Sequence, residues 1–238
     1  MGTHVVATRE RAHTRVPPAT KKQLAWFGGG LLLGFFVPFI FADTLALPRD
    51  LYYAVYVVAV VAFVWAWARR TQQDLLAMVR RRLPLAVALG IVATGILTLV
   101  VVRGEDATAR PDGLELAAAV LWRGVVYGAA DGLLLSVFPI LAVFAAFAGV
   151  RVRHGIRGTI AVGAVALVAS LAMTAIYHAG YSDFRSEKLR QPVAGDVVWS
   201  APTLLTLNPV GAPIAHVGLH VAAVTHSYET DLFLPPHD

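Results

Sequence analysis

The sequence predicts an all-α integral membrane protein, a polytopic helical bundle with about six spans plus a half-membrane or broken helix. Of its 238 residues, 57% are hydrophobic and only 15% are charged, whereas a soluble domain has roughly 25% charged residues. Several apolar runs approach the ~20 residues that a helix needs to cross a bilayer. Arginines are concentrated between these runs, which is typical of cytoplasmic loops.

The composition also excludes several classes of function. The chain has no cysteine, so disulfides, thiolate catalysis and cysteine metal sites are excluded. The net charge of +5 comes mostly from arginines between apolar runs, and no soluble basic domain is evident. Nucleic acid is therefore not expected as a partner. The expected partners are the lipid bilayer and, where the bundle is part of a complex, other membrane subunits.

Three segments are predicted along the chain. Residues 1–23 are mostly polar and basic, which predicts a disordered cytosolic tail rather than a cleavable signal peptide. Residues 24–226 are expected to form a single transmembrane domain, and residues 227–238 a C-terminal tail. The basic tail and the arginine-rich loop 69–82 predict an integral plasma or inner membrane protein with a cytoplasmic N-terminus.

Four apolar runs predict complete spans, at residues 24–41, 51–67, 84–102 and 157–181. The second of them begins with tyrosines and ends with tryptophans, as interfacial aromatic belts do. Two regions are ambiguous, namely residues 114–150 and residues 197–226.

Residues 114–150 are too long for one span of ~20 residues. Either residues 114–130 form a half-membrane or interfacial helix before a span at 131–150, or both halves span. The two layouts give the same excess of basic residues on the cytoplasmic side, so the positive-inside rule does not distinguish them. The short, acid-free loop RVRHGIR favours the first. Residues 197–226 either cross once with tilt or are broken by NPVGAP into two half-helices that line a cavity.

Polar side chains within these apolar stretches are the candidate functional residues. Such groups usually face the interior of a bundle, where they pair or serve a function. The set comes from three separate regions of the chain and comprises Glu115, Arg123, Asp131, His178, Asn208, His216 and His220. Arg123 is expected to snorkel to an interface or to neutralise Asp131 or Glu115. Asn208 and the following proline are candidates for a substrate or ion site at mid-membrane.

His216 and His220 are four residues apart, so on a helix they project from one face. Two neutral imidazoles in this arrangement suit a zinc-like divalent metal. His178 or Asp131 could supply a third ligand, and the other could act as a general base. Alternatively, the histidines only hydrogen-bond helices together. Haem ligated by His178 and one of the pair is a further alternative, and it requires two histidines on facing helices.

Three short motifs occur in order along the chain. Residues 121–128, LWRGVVYG, have an arginine followed by glycine, Thr174 to His178 is T-x-x-x-H, and His216 to His220 is H-x-x-x-H. They resemble the motifs E-E-x-x-x-R, F-x-x-x-H and H-x-x-x-N of the CAAX-protease and bacteriocin-processing (Abi-type) intramembrane proteases. The chain departs from the family at Ala118 and Ala119, where paired glutamates would stand. Asp131 is a candidate substitute for the missing acid.

The resemblance implies cleavage of a peptide bond at the membrane, often near a lipidated C-terminus. The first functional hypothesis is therefore a divergent metal-dependent intramembrane hydrolase, with His178, His216 and His220 binding the metal and with Asp131 and Arg123 as catalytic residues. The alternative is a non-catalytic membrane protein that serves in binding, in transport or as an accessory subunit.

Overall fold

Helices make up nearly all of the structure, a computed structural model that describes residues 18–229 and 233–234. No strand occurs among these residues, so the predicted all-α bundle is confirmed. The predicted tail over residues 1–17 lies outside the described residues. The helices are α1 (Pro18–Val37, continued by a π-turn at Pro38–Thr44), α2 (Arg49–Thr71), α3 (Leu75–Arg80), α4 (Leu83–Gly104), α5 (Gly113–Ala146), α6 (Ala148–Ala179), α7 (Arg190–Thr206) and α8 (Gly211–His226).

Five helices, α1, α2, α4, α5 and α6, are long and apolar enough to cross a membrane. The first begins at Pro18, six residues before the predicted span. Its polar residues have partners there, because Thr20 Oγ1 donates to the Ala146 carbonyl at 2.6 Å and Gln23 Oε1 accepts from Trp67 Nε1 at 2.8 Å. The assignment of residues 18–23 to a disordered tail is therefore wrong.

The ambiguous region 114–150 forms one continuous helix up to Ala146, and this helix crosses the bundle once. Two π-helical turns, Val120–Tyr127 and Gly132–Val137, lie within it without breaking the backbone. Its 34 residues extend for about 50 Å at ~1.5 Å per residue. The prediction of a separate half-membrane helix is wrong, and so is that of two spans. Residues 151–157, predicted as a loop, belong to the start of α6, which is kinked at Gly155 with φ of 52°. They do lie at the same end as residues 69–82, as the favoured layout requires.

The last apolar segment forms two helices, α7 and α8, each of which crosses the bundle. The connection at residues 207–210 lies at the end of the bundle, because Asn208 Nδ2 donates to the carbonyls of Met78, Val79 and Arg81. At the other end of α8, His226 Nε2 donates to the Glu105 carbonyl at 3.0 Å. NPVGAP does break residues 197–226 into two helices, and both line a cavity, as one of the two predicted arrangements has it. The prediction is wrong in that each helix crosses the bundle and that Asn208 anchors a loop instead of lying at mid-membrane.

Seven helices of the described chain thus run from one end of the bundle to the other. The two ends differ in charge. One end, which we call the basic end, has Asp74 as the single acidic residue among those described there. Its basic residues are Lys21, Lys22, Arg69, Arg70, Arg80, Arg81, Arg82, Arg151, Arg153 and Arg157. The opposite end, the mixed-charge end, carries both signs. The predicted concentration of arginines in one set of loops is confirmed as a spatial feature.

Glycines bring α5 into close contact with α8. A Cβ atom built on Gly132 would lie 2.6 Å from Pro213 Cα, and one on Gly124 would lie 2.8 Å from Val221 Cγ2. A Cβ atom built on Gly128, which lies between them, would be 3.1 Å from Val217 Cα. Small residues at such positions allow helix backbones to approach closely. This contact places the middle of α5 directly against the histidine-bearing face of α8.

Candidate metal site

Asp131 of α5 meets His216 and His220 of α8 in the interior of the bundle. Each residue offers one ligand atom, and these three atoms lie within 4.8 Å of one another. His220 Nε2 is 3.1 Å from Asp131 Oδ2. The two imidazoles project from one face of α8, as their spacing predicts, with ring centroids 6.4 Å apart. We call these three residues the Asp-His cluster.

Burial of the cluster is nearly complete, with exposed fractions of 4% for Asp131, 1% for His216 and 3% for His220. Four of its polar atoms have no hydrogen-bond partner among the described residues: Asp131 Oδ1, His216 Nδ1, His216 Nε2 and His220 Nδ1. A buried polar atom without a partner costs about 1–3 kcal/mol. A bound cation would satisfy several of these atoms together.

The donor set fits a divalent metal of the zinc class. Imidazole nitrogen and carboxylate oxygen are both zinc ligands, with bonds of ~2.0–2.2 Å. Tetrahedral coordination at these lengths places ligand atoms about 3.3–3.5 Å apart. The ligand atoms of the Asp-His cluster lie within 4.8 Å of one another, so those farthest apart would have to move closer on binding. Three protein ligands would leave a fourth position for water or substrate, as catalytic zinc sites do.

A cavity of about 370 Å³ lies directly beside the Asp-His cluster. Its polar wall is formed by the cluster and His178, and the rest is mostly apolar, including Leu97, Leu135, Val198, Trp199, Leu219 and Phe233. The lining residues Val100, Gly104 and Gln191 are exposed. The cavity therefore opens on the side of the bundle toward the mixed-charge end.

His178 lines this cavity but does not belong to the group of three converging ligand atoms. Its Nδ1 donates to the Thr174 carbonyl at 2.8 Å. Since a carbonyl only accepts, this bond places the proton of the neutral imidazole on Nδ1, and in that form Nε2 is an acceptor. The sequence left open whether Asp131 or His178 lies beside the histidine pair. The structure brings Asp131 to the pair and His178 to the same cavity.

Arg123 lies outside the site. Its guanidinium forms a bidentate ion pair with Asp50, through Nε to Oδ1 and Nη2 to Oδ2, both at 2.8 Å. The expected pairing with Asp131 or Glu115 is wrong. Eight residues separate Arg123 from Asp131 on α5, which is about 12 Å along a helix, and Glu115 is exposed. Its position suits a role in joining α5 to α2.

Aromatic residues that the sequence did not single out surround the cluster. The Trp199 ring lies 4.7 Å from the His216 ring, and Tyr127 meets His220 edge-on at 5.0 Å. Beyond Tyr127, buried phenol groups form a chain of hydrogen bonds. The oxygen–oxygen distances are 2.5 Å for Tyr127–Tyr177, 2.7 Å for Tyr177–Tyr181 and 2.6 Å for Tyr52–Tyr181. Only the tyrosine-rich start of α2 hinted at this chain.

Comparisons with known proteins do not add a relative. No protein-family model matches the chain, and no curated protein or solved structure matches it either. The resemblance to the intramembrane proteases therefore stays a prediction carried by the motifs alone. What the structure shows is a multi-pass helical bundle with a buried Asp-His group suited to a metal ion.

Proposed function

We propose that the protein is a metal-dependent hydrolase of the membrane interior, in which Asp131, His216 and His220 bind one zinc-class ion. The observation that carries this proposal is the convergence of three buried ligand groups beside a cavity, with four of their polar atoms lacking a hydrogen-bond partner among the described residues. Lipid-embedded proteins seldom leave ionisable groups in such a state without a functional reason.

Each neighbour has a role in this scheme. When bound, a zinc-class ion supplies Lewis acidity and an acidified water molecule. His178 offers Nε2 to the cavity as a proton acceptor, because Thr174 occupies its Nδ1. Trp199 and Leu219 line the apolar wall and limit access of bulk water. The positioning of Asp131 depends on the contact of Gly132 with Pro213.

The shape of the cavity supports an amphipathic substrate. An apolar wall suits a hydrocarbon chain or a hydrophobic peptide segment, and the polar wall is where the scissile bond would lie. The motif resemblance narrows the substrate class to a membrane peptide or a lipidated peptide. In that case Asp131 supplies a carboxylate to the site as a metal ligand, and His178 takes the role of base that the glutamates missing at Ala118 and Ala119 would have. The charge difference between the ends supports a cytoplasmic basic end in a plasma or inner membrane.

A second candidate is a non-catalytic accessory subunit, in which the cluster only joins helices. The hydrogen bond between His220 and Asp131 favours it, since this bond links α8 to α5 without a metal. The two candidate functions predict different effects of mutating the Asp-His cluster. An accessory role predicts a loss of thermal stability without the loss of any ligand.

Metal content tests the proposal directly. Purified protein is incubated with zinc, desalted and assayed by elemental mass spectrometry, beside the variants Asp131→Asn, His216→Ala and His220→Ala. His154→Ala is the matched control, because His154 is exposed and lies outside the site. We expect about one ion per chain in the wild type and the control, and a loss of most of it in the three variants. Equal, near-zero metal in all five folded proteins would contradict the proposal.

A further inference from the structure

A second cavity, of about 480 Å³, lies at the basic end of the bundle, at the opposite end from the mouth of the first. It is formed by the ends of α5 and α7, the start of α6 and the loop between α3 and α4. Three arginines line it, namely Arg81, Arg82 and Arg151. We call it the arginine cavity. No acidic residue is among those that line it.

The charge of these arginines is not balanced within the described part of the chain. Asp74 is the one acid described at this end, and its carboxylate caps α3 by accepting from the Ala77 amide at 2.8 Å. Arg151 stacks over the Phe144 ring at 5.0 Å, and its buried Nε has no hydrogen-bond partner. A buried guanidinium N–H without an acceptor, beside two further guanidinium groups, indicates a site for an anion.

The loop that bears two of the arginines is held in place by a buried side chain. Asn208 is fully buried and donates to the Arg81 carbonyl as well as to those of Met78 and Val79. Its Oδ1 accepts from the Val210 amide at 2.9 Å, so the amide group is firmly oriented. Arg82 adopts a left-handed backbone conformation with φ of 52°. The backbone at Arg81 and Arg82 is therefore fixed by the fold, so a ligand has to order only their exposed side chains.

The rest of the arginine cavity is mostly apolar, with Gln73, Thr159 and Thr206 as its other polar residues. Leu141 and Phe144 line it from α5, and Leu205 of α7 lines it while 62% exposed. Val152, next to Arg151, is 86% exposed. Exposed apolar residues beside arginines are expected where the hydrocarbon region meets the headgroup layer. A ligand that fits has an anionic head and a hydrocarbon tail.

We propose that the arginine cavity binds an anionic phospholipid, with the phosphate at Arg81, Arg82 and Arg151 and the acyl chains against Leu141, Phe144 and Leu205. Basic pockets between helices at the headgroup level are suited to this class of lipid. Each arginine near an anionic lipid contributes about 1 kcal/mol, which is about fivefold in affinity. The proposal is independent of any reaction at the Asp-His cluster.

Native mass spectrometry of delipidated protein in detergent tests it. The protein is titrated with phosphatidylglycerol, with phosphatidylcholine of the same chains, or with inorganic phosphate. The test variant is Arg81→Gln/Arg82→Gln/Arg151→Gln. The matched control, Arg80→Gln/Arg153→Gln/Arg157→Gln, removes the same charge at the same end from exposed residues that do not line the cavity.

We expect the wild type and the control to bind one phosphatidylglycerol at least tenfold more tightly than phosphatidylcholine. The affinity of the test variant for phosphatidylglycerol should fall about fivefold for each arginine removed. Equal losses in both triple variants would overturn the proposal in favour of general attraction to a charged surface. Equal retention of phosphatidylcholine and phosphatidylglycerol would overturn it, because the cavity would then bind acyl chains without selecting the headgroup. Saturable binding of inorganic phosphate at the lipid's affinity would overturn it in favour of a free-anion site.

Discussion

Two aspartates lie in the apolar interior of the bundle, and their surroundings differ. Asp196 of α7 is fully buried, and its Oδ1 accepts from the hydroxyls of Ser200 and, at 3.1 Å, Ser170. The Ser200 and Ser136 hydroxyl oxygens lie 2.7 Å apart, so the network joins α5, α6 and α7. Asp131 instead faces two imidazoles with unpartnered nitrogens, and a cavity adjoins it. Depth alone therefore does not mark a functional acid; the type of neighbour and the adjoining cavity do.

The two carboxylates can be compared by the same substitution. Asp131→Asn removes an anionic metal ligand, so we expect zinc affinity to fall about 100-fold or more. Asp196→Asn keeps a side-chain oxygen that the serine hydroxyls can donate to, so zinc affinity should stay within about twofold. Isothermal titration with zinc measures both. A loss in Asp196→Asn as large as that in Asp131→Asn would remove the distinction between the two acids.

A substitution on the helix contact tests whether Asp131 is positioned by packing. Gly132→Ala places a Cβ atom 2.6 Å from Pro213 Cα, so α5 and α8 have to separate. We expect a loss of about 1–3 kcal/mol in the free energy of unfolding, together with weaker zinc binding. Gly95→Ala on α4 is the control, since nothing lies within 4 Å of its added Cβ. If both variants bind zinc equally, the close contact does not position the carboxylate.

The tyrosine chain lies beside the cluster, and we expect it to contribute stability without holding the metal. Tyr177→Phe removes the central hydroxyl, which contacts both Tyr127 and Tyr181, and should cost about 1–2 kcal/mol. Tyr53→Phe is the control, because the Tyr53 hydroxyl is buried without a hydrogen-bond partner. Thermal unfolding should rank the first variant clearly below the second. The reverse order would mean that the chain of phenol hydroxyls is not a stabilising network.

The smallest effect is expected at the ion pair between Arg123 and Asp50. Because Asp50 is 54% exposed, Arg123→Gln should cost only about 0.2–1 kcal/mol. Zinc content should not change, since the guanidinium lies outside the Asp-His cluster. Asp50→Asn is the control and should give a similar loss, and the double variant should lose less than the sum. If Arg123→Gln loses metal and Asp50→Asn does not, Arg123 contributes to metal binding.

The parts of the fold that were predictable are those that depend on local pattern. Apolar runs near 20 residues located α1, α2 and α4, and the spacing of four located His216 and His220 on one face. The crossings by α7 and α8 were missed because these helices have only 17 and 16 residues. Nothing in the local sequence indicated that the Asn208 side chain hydrogen-bonds to a loop 130 residues earlier in the chain.

The partners of the charged residues were the least predictable feature. Arg123 and Asp50 are 73 residues apart, and Asp131 and His220 are 89 residues apart. Such contacts depend on how the helices are arranged, and composition and periodicity carry no information about that arrangement. The spacing of glycines along α5, at 124, 128 and 132, was the available signal that this face packs closely against another helix.

Cobalt titration is the most direct test of the Asp-His cluster as a metal site. Cobalt(II) replaces zinc in sites of nitrogen and oxygen ligands, and its visible absorption reports the coordination. We predict saturable absorption bands at one cobalt per chain, displaced by zinc and absent from His220→Ala. A metal site at this cluster would be contradicted if folded wild-type protein develops no bands, or if His220→Ala develops the same bands at the same cobalt concentrations.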